Sequence, residues 1–176
     1  DAPGPAPGDV VVPVHALALL GEAAAGMRER FTQAGLSLDT EPIRWLGDPH
    51  SQPCVHGEPD ALHQVFVNLL ENCLRYTDAG GRVVLSHDIQ REDGARWLVL
   101  HFDDSAPGVA PQDMERIFER LYRGESSRSR SHGGSGLGLP ICRHLLNAQG
   151  GRIEARASLL GGLRVSVMLP MLENPA

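Results

Sequence analysis

Lysine is absent from this chain of 176 residues, and all 16 of its basic residues are arginine. A lysine that forms a Schiff base is therefore excluded, and so is a phosphate-binding P-loop of the GxxxxGK[ST] type, because both need the lysine amine. Any bound phosphate must be held by backbone N–H groups, by arginine or by a metal ion.

Cysteine is scarce as well, and long apolar runs are missing. Cys54, Cys73 and Cys142 are odd in number, widely spaced and form no CxxC pair, which argues against a disulfide scaffold or a zinc site and favours a reducing cytosol. No apolar run approaches the roughly 20 residues that a membrane-spanning helix needs. The net charge of −6 disfavours binding to nucleic acid or to an anionic membrane, so we expect neither as a partner of this domain.

The remaining composition is that of a globular domain, with 41% hydrophobic and 22% charged residues. A Pro/Ala/Gly-rich stretch opens the chain. We therefore predict a linker at 1–9, one domain at 10–172 and a short tail at 173–176.

Hydrophobic periodicity predicts four helices and seven strands. We expect helices at 15–34, 60–77 (with Asp60 as the N-cap), 111–121 and 137–149. We expect strands at 10–14, 36–41, 54–56, 82–89, 97–102, 153–157 and 163–169, with a hairpin turn at 92–94 and a link at 161–162. The predicted fold class is α+β: a two-layer sandwich whose mixed, largely antiparallel sheet is covered on one face by about three helices.

The predicted helix at 60–77 has a polar face opposite its Leu and Val residues. Asn68 and Asn72 lie one turn apart, and Arg75 and Tyr76 fall in the same quadrant. Two amides, a guanidinium and a phenol could together hold a ligand. Considered alone, the helix could equally be an amphipathic one with a solvated polar face.

Two further motifs could serve a nucleotide. At 101–108 (HFDDSAPG) a strand ends in two acids; the Asp104 carboxylate can accept a hydrogen bond from an exocyclic amine, and Gly108 allows close approach of a flat ligand. At 133–139 (GGSGLGL) glycines precede a helix and can turn N–H groups toward an anion. Alone, the first motif is also an ordinary turn, and the second is a weak signal.

Together and in this order, the motifs resemble the ATP-binding catalytic domain of bacterial sensor histidine kinases. The segments 68–72 (NLLEN), 104–108 (DSAPG), 118–123 (FERLYR) and 134–139 (GSGLGL) resemble the N, G1, F and G2 boxes, and 161–162 resembles the last glycine box. The resemblance covers roughly 10–170 and is greatest to envelope-stress sensor kinases of the BaeS type. Cys73, Ala106 and Leu163 depart from the usual residues of the family.

The resemblance implies a GHKL-type fold, shared with gyrase, heat-shock chaperone ATPases and mismatch-repair ATPases, and it implies ATP and Mg²⁺ as ligands. Asp104 would accept the adenine amino group, and Asn72 would bind Mg²⁺ with Asn68 beside it. Arg75 would reach the phosphates, and Tyr76 would line the pocket. The segment 123–136 is predicted to form a lid over the phosphates. Arg123 would approach the γ-phosphate, and further phosphate contacts are implied for the N–H groups of Gly134, Gly136, Leu137 and Gly138.

The implied reaction is transfer of the ATP γ-phosphoryl group to a histidine on a dimerisation domain absent from this chain, with a response regulator downstream. Asn68 stands where ATP-hydrolysing relatives carry a glutamate, and an amide cannot accept a proton from water. No histidine here fits the acceptor motif, so we expect no autophosphorylation by the isolated chain. We expect the cytoplasmic domain of an inner-membrane protein. An anti-sigma-factor-type serine kinase and a non-catalytic nucleotide-sensing module of the same fold remain alternatives.

Overall fold

A computed structural model of the chain describes residues 11–105, 107–119 and 138–173. The described helices are α1 (Ala16–Gln33), α2 (Pro59–Tyr76) and α3 (Gly138–Ala148). The described strands are β1 (Val12–Val14), β2 (Ser37–Asp39), β3 (Val55–Gly57), β4 (Arg82–Glu92), β5 (Ala95–Ser105), β6 (Arg152–Ala157) and β7 (Gly161–Pro170). Within these ranges, no helix is long and apolar enough to cross a bilayer.

Five strands form the main sheet, in the order β2-β4-β5-β7-β6. The β2–β4 pair is parallel, and every other neighbouring pair in this sheet is antiparallel. β1 and β3 form a separate antiparallel pair. The prediction of an α+β sandwich with a largely antiparallel sheet is confirmed.

The core lies between the helices and one face of the main sheet. Leu62, Phe66 and Leu69 recur along α2 at helical spacing and are buried. Phe66 meets Phe102 of β5 with the ring centroids 6.4 Å apart. Because strand side chains alternate between faces, Phe102 and Asp104 point to this helix-covered inner face, whereas Asp103 points to the outer face.

The hairpin between β4 and β5 is as predicted. Its two turn residues, Asp93 and Gly94, both have positive φ angles, 52° and 80°. A two-residue turn with this geometry matches the right-handed twist of the flanking strands. The long β5 strand is therefore aligned in register with β4 from Ala95 to Asp104.

Three local predictions are wrong. The N-cap of α2 is Glu58, whose carboxylate accepts the N–H groups of Asp60 and Ala61, because Pro59 occupies the first helical position. The predicted helix at 111–121 is, as far as residue 119, two 3₁₀ turns at Pro111–Asp113 and Arg116–Phe118. The β6–β7 turn spans 158–161, so 161–162 already belongs to β7.

Candidate functional site

The polar face of α2 holds four of the predicted site residues. Asn68 and Asn72 are one turn apart and half-buried, Tyr76 is half-buried one further turn along, and Arg75 is exposed. The opposite stripe is buried in the core, which fixes the rotation of the helix. Two amides, a phenol and a guanidinium therefore share one partly accessible surface.

The start of α3 lies beside Asn68. The buried Cys142 thiol of α3 donates to the backbone oxygen of Val65 over 3.7 Å, and the Asn68 side chain lies near enough to this thiol to lower its pKa against the effect of burial. Burial raises the pKa of Cys142 to about 12, so the thiol stays neutral and acts as a packing group. Gly138 lies one helical turn before Cys142 at the N-terminal end of α3. The helix end predicted to face phosphate is thus next to the turn of α2 that carries Asn68.

Asp104 lies on the inner face of β5, at an irregularity in the β5–β7 ladder. Asp103 pairs with Arg164 and Ser105 with Gly161, so three steps along β7 match two along β5. Leu163, which pairs with Ala157 of β6, therefore has no cross-strand partner on β5. The Leu163 N–H donates to Oδ1 of Asp104 over 2.8 Å. Among the described residues, none hydrogen-bonds the second carboxylate oxygen.

The Asp104 carboxyl is buried, with 8% of the residue exposed. Burial raises its pKa to about 6; the Leu163 N–H opposes the shift and the Asp103 charge adds to it. The Cys73 thiol on α2 shares this environment. Burial raises the pKa of Cys73, and the charges of Asp104 and Asp103 raise it further. The ionised Asp104 carboxylate is therefore poorly solvated, and a hydrogen-bond donor on a ligand would stabilise it.

Glycines shape the space around Asp104. A Cβ at Gly162 would lie 2.1 Å from Asp104 Oδ1 and 2.2 Å from the Ser105 carbonyl oxygen, so only glycine fits. Gly108 has a φ of 72°, and a Cβ there would lie 3.1 Å from the backbone of Gly162. Gly108 therefore lies close to β7, at the residue before the Leu163 N–H that binds Asp104.

The donor set fits an adenine nucleotide with magnesium. A buried carboxylate with one oxygen that no described residue hydrogen-bonds suits an exocyclic amine. No group of three or more His, Cys, Asp or Glu able to hold a metal occurs in the described part of the chain. A hard cation here would be bound through an amide oxygen, water and phosphate oxygens, which is the pattern that Mg²⁺ favours.

Part of the predicted site lies outside the described residues: Arg123, Gly134, Gly136, Leu137 and the rest of the predicted lid at 123–136. Sequence reasoning did not assign site roles to the Leu163 N–H, to Gly162 or to Cys73. The glycine pair at 161–162 was the available signal for Gly162. No sequence signal marks a backbone N–H that a bulge releases.

Residues 57–173 match the family model described as "Histidine kinase-, DNA gyrase B-, and HSP90-like ATPase". The chain belongs to this family. It is 46% identical over 159 residues to the signal transduction histidine-protein kinase BaeS of Escherichia coli K12, a match that covers 90% of this chain and 32% of BaeS. The resemblance to BaeS-type kinases is confirmed, and the chain spans about a third of that relative.

Solved structures agree. The ATP-binding domain of PrrB from Mycobacterium tuberculosis is 25% identical, with a TM-score of 0.68 over 94% of this chain and 100% of that one. Full-length ShkA, solved in complex with AMPPNP, is 26% identical, with a TM-score of 0.72 over 98% of this chain and 33% of that one. The chain is therefore a histidine kinase ATP-binding domain of the two-component type.

Proposed function

We propose that this domain binds Mg-ATP and transfers the γ-phosphoryl group to a histidine on a dimerisation domain outside these residues. The observation that carries the proposal is the Asp104 carboxylate, which is buried, bound on one oxygen by the Leu163 N–H and without a hydrogen bond from any described residue on the other. Such a group selects a ligand with an exocyclic amine. Adenine presents that amine, whereas guanine presents a carbonyl at the same ring position, so ATP is preferred over GTP.

Base recognition involves the surroundings of Asp104 as well. Gly108 lies against Gly162, which lets a flat base approach the backbone closely. Tyr76, half-buried at the end of α2, lines the nucleotide pocket in this proposal. Cys73 is neutral and apolar in character, so it packs against the base without competing for its amine.

The phosphate end of the site is assigned to α2 and α3. Asn72 provides a side-chain oxygen to Mg²⁺, with Asn68 beside it, and Arg75 reaches the phosphates. Bound Mg²⁺ would neutralise phosphate charge and orient the triphosphate. The Gly138 N–H lies at the N-terminal end of α3, where backbone donors favour an anion.

In the transfer step, a ring nitrogen of the acceptor histidine forms a bond to the γ-phosphorus while the bond to the β–γ bridging oxygen breaks, and ADP leaves. The attacking nitrogen uses a lone pair, so no base is needed to generate it. Asn68 cannot deprotonate water, which disfavours hydrolysis. The proposal assigns charge stabilisation in this step to Arg123 and phosphate contacts to the N–H groups of Gly134, Gly136 and Leu137.

The proposed setting is the cytoplasmic side of an inner-membrane sensor kinase, with a response regulator as the downstream acceptor. A linker at 1–9, the domain at 10–172 and a tail at 173–176 complete this proposal. The similar proteins BaeS and CpxA of E. coli are both named as histidine kinases, which favours histidine over serine as the acceptor.

The experiment combines calorimetry with phosphotransfer. ADP binding should weaken without Mg²⁺ in the wild type, and Asn72→Ala should lose that dependence, whereas the exposed Asn147→Ala of α3 should keep it. With radiolabelled ATP, the chain alone should stay unlabelled, and adding the cognate dimerisation domain should yield acid-labile label. Mg²⁺-independent binding, or acid-stable label on serine, would contradict the proposal.

A further inference from the structure

The outer face of the sheet carries an ion pair one residue away from Asp104. Arg164 of β7 donates from Nε to Oδ1 of Asp103 over 2.8 Å and from Nη2 to Oδ2 over 2.9 Å. The Ser158 hydroxyl donates to Oδ1 of the same carboxylate over 2.8 Å. The Asp103 side chain is 6% exposed, and that of Arg164 is 34% exposed. This is a bidentate, largely desolvated pair, the strongest kind of arginine–carboxylate contact.

The pair lies where the β5–β7 register changes. Asp103 and Arg164 are direct cross-strand partners, and the ladder slips immediately after them, so that Ser105 pairs with Gly161. The bidentate contact joins the last regularly paired residues and so fixes the point at which the register shift begins. The slip is what leaves the Leu163 N–H free to hold Asp104.

We propose that Asp103 and Arg164 are positioning residues for Asp104: their ion pair fixes the β5–β7 register that aims the Asp104 carboxylate at the base, and Arg164 balances the Asp103 charge beside it. This inference rests on the proposed nucleotide-binding function. It adds specificity-determining residues on the face of the sheet opposite the ligand.

Electrostatics supports the second part of the proposal. Burial is the main cause of the raised pKa of Asp104 and of the Cys73 thiol, and the Asp103 charge raises both further. The bond to Asp103 in turn raises the pKa of Arg164, so its charge is secure. Asp88 of β4 also acts on Arg164. Asp103 is thus the charged group that acts directly on the Asp104 carboxyl, and Arg164 and Asp88 act on it through that pair.

Arg152 provides a matched control on the same outer face. It pairs with Glu92 and lies over the Trp97 ring, with its guanidinium carbon 4.7 Å from the ring centroid. It sits opposite Met168, four residues along β7 from Arg164. Arg152→Met removes an outer-face ion pair without touching the register near Asp104.

The experiment measures ADP affinity by calorimetry from about pH 5 to about pH 8.5, each variant being compared with the wild type in the same buffer so that phosphate titration cancels. Arg164→Met leaves the Asp103 charge uncompensated. The pH below which affinity declines should therefore rise by about half to one unit, with binding up to about twofold weaker at pH 7 and about three- to tenfold weaker near pH 5. Asp103→Asn should move that pH down, and Arg152→Met should leave it unchanged.

At pH 8.5 Asp104 is ionised in every variant, so any remaining loss of ADP affinity reports position and not charge. Arg164→Met should still bind ADP less tightly there and discriminate less against GDP. Unchanged pH profiles in both Asp103→Asn and Arg164→Met would overturn the inference. If Arg164→Met does not fold, Asp103→Asn decides the matter alone. If the wild type binds no ADP at any pH, the proposed function itself fails.

Discussion

Gly162 and Asp104 are packed so closely that a Cβ at Gly162 would lie 2.1 Å from the Asp104 carboxylate oxygen that accepts the Leu163 N–H. The relationship joins the last glycine pair of the sequence to the acid of the DSAPG segment, 58 residues apart by their numbers. It explains why a glycine is needed there although its φ angle is unremarkable. Ligand recognition and sheet packing depend on the same few atoms.

A first prediction tests this contact. Gly162→Ala should push the Asp104 carboxylate or the Ser105 carbonyl aside, and it should lower the free energy of unfolding by about 2 kcal/mol or more. Nucleotide affinity should fall with it. Gly26→Ala is the control, because a Cβ there meets nothing within 4 Å and α1 should gain about 0.5–1 kcal/mol. Urea unfolding measures both, and a neutral Gly162→Ala would refute the packing argument.

A second prediction concerns the cost of keeping Asp104 charged. The pKa of Asp104 in the folded chain, about 6, lies above that of an unfolded aspartate, so the folded state binds the proton more tightly. The protonated Asp104 carboxyl therefore stabilises the folded state at low pH, and this stabilisation is lost as the pH rises through about 6. Asp104→Asn should therefore stabilise the ligand-free domain at pH 7.5 by about 1–3 kcal/mol.

The pH dependence is the check on that prediction. The stabilisation by Asp104→Asn should shrink toward zero near pH 4, about the pKa of an unfolded aspartate. Asp103→Asn should have the opposite effect at neutral pH, since it weakens the bonds from Arg164 and Ser158. Equal loss of stability in both variants at pH 7.5 would show that the Asp104 carboxylate is not held in a destabilising environment.

A third prediction concerns the N-cap of α2. Glu58→Ala removes the acceptor of two backbone N–H groups and should cost about 0.5–2 kcal/mol. Asp60→Ala should cost less, since Asp60 contributes only its charge near the helix dipole. Thermal unfolding of the two variants compares them directly. A larger loss for Asp60→Ala would restore Asp60 as the cap.

Local patterns were sufficient to predict much of the fold. The apolar spacing of α1 and α2 and the Asp-Gly turn of the β4–β5 hairpin identify elements whose stability is decided by near neighbours in sequence. The Glu58 cap was also within reach, because a proline at the first helical position makes the preceding residue the cap.

Other features depend on contacts that no local pattern specifies. Ile117 and Phe118 are consecutive and both buried, and Arg143 of α3 lies 4.7 Å from the centre of the Phe118 ring. These tertiary contacts hold the segment in a single turn that closes with an i→i+3 hydrogen bond from the Glu119 N–H to the Arg116 carbonyl, so it is a 3₁₀ turn and not the predicted helix. The Asp103–Arg164 pair likewise depends on how β5 and β7 align, including the irregularity in their register. The two residues are 61 positions apart, so no local pattern indicates that alignment.

Titration calorimetry of ADP and GDP in the presence of Mg²⁺ is the decisive test of adenine selection by Asp104. With this selection, the wild type binds ADP in clear preference to GDP, and Asp104→Asn, although folded and more stable at pH 7.5, loses most of its affinity for ADP. An Asp104→Asn variant that binds ADP as tightly as the wild type, with the same preference over GDP, would contradict it.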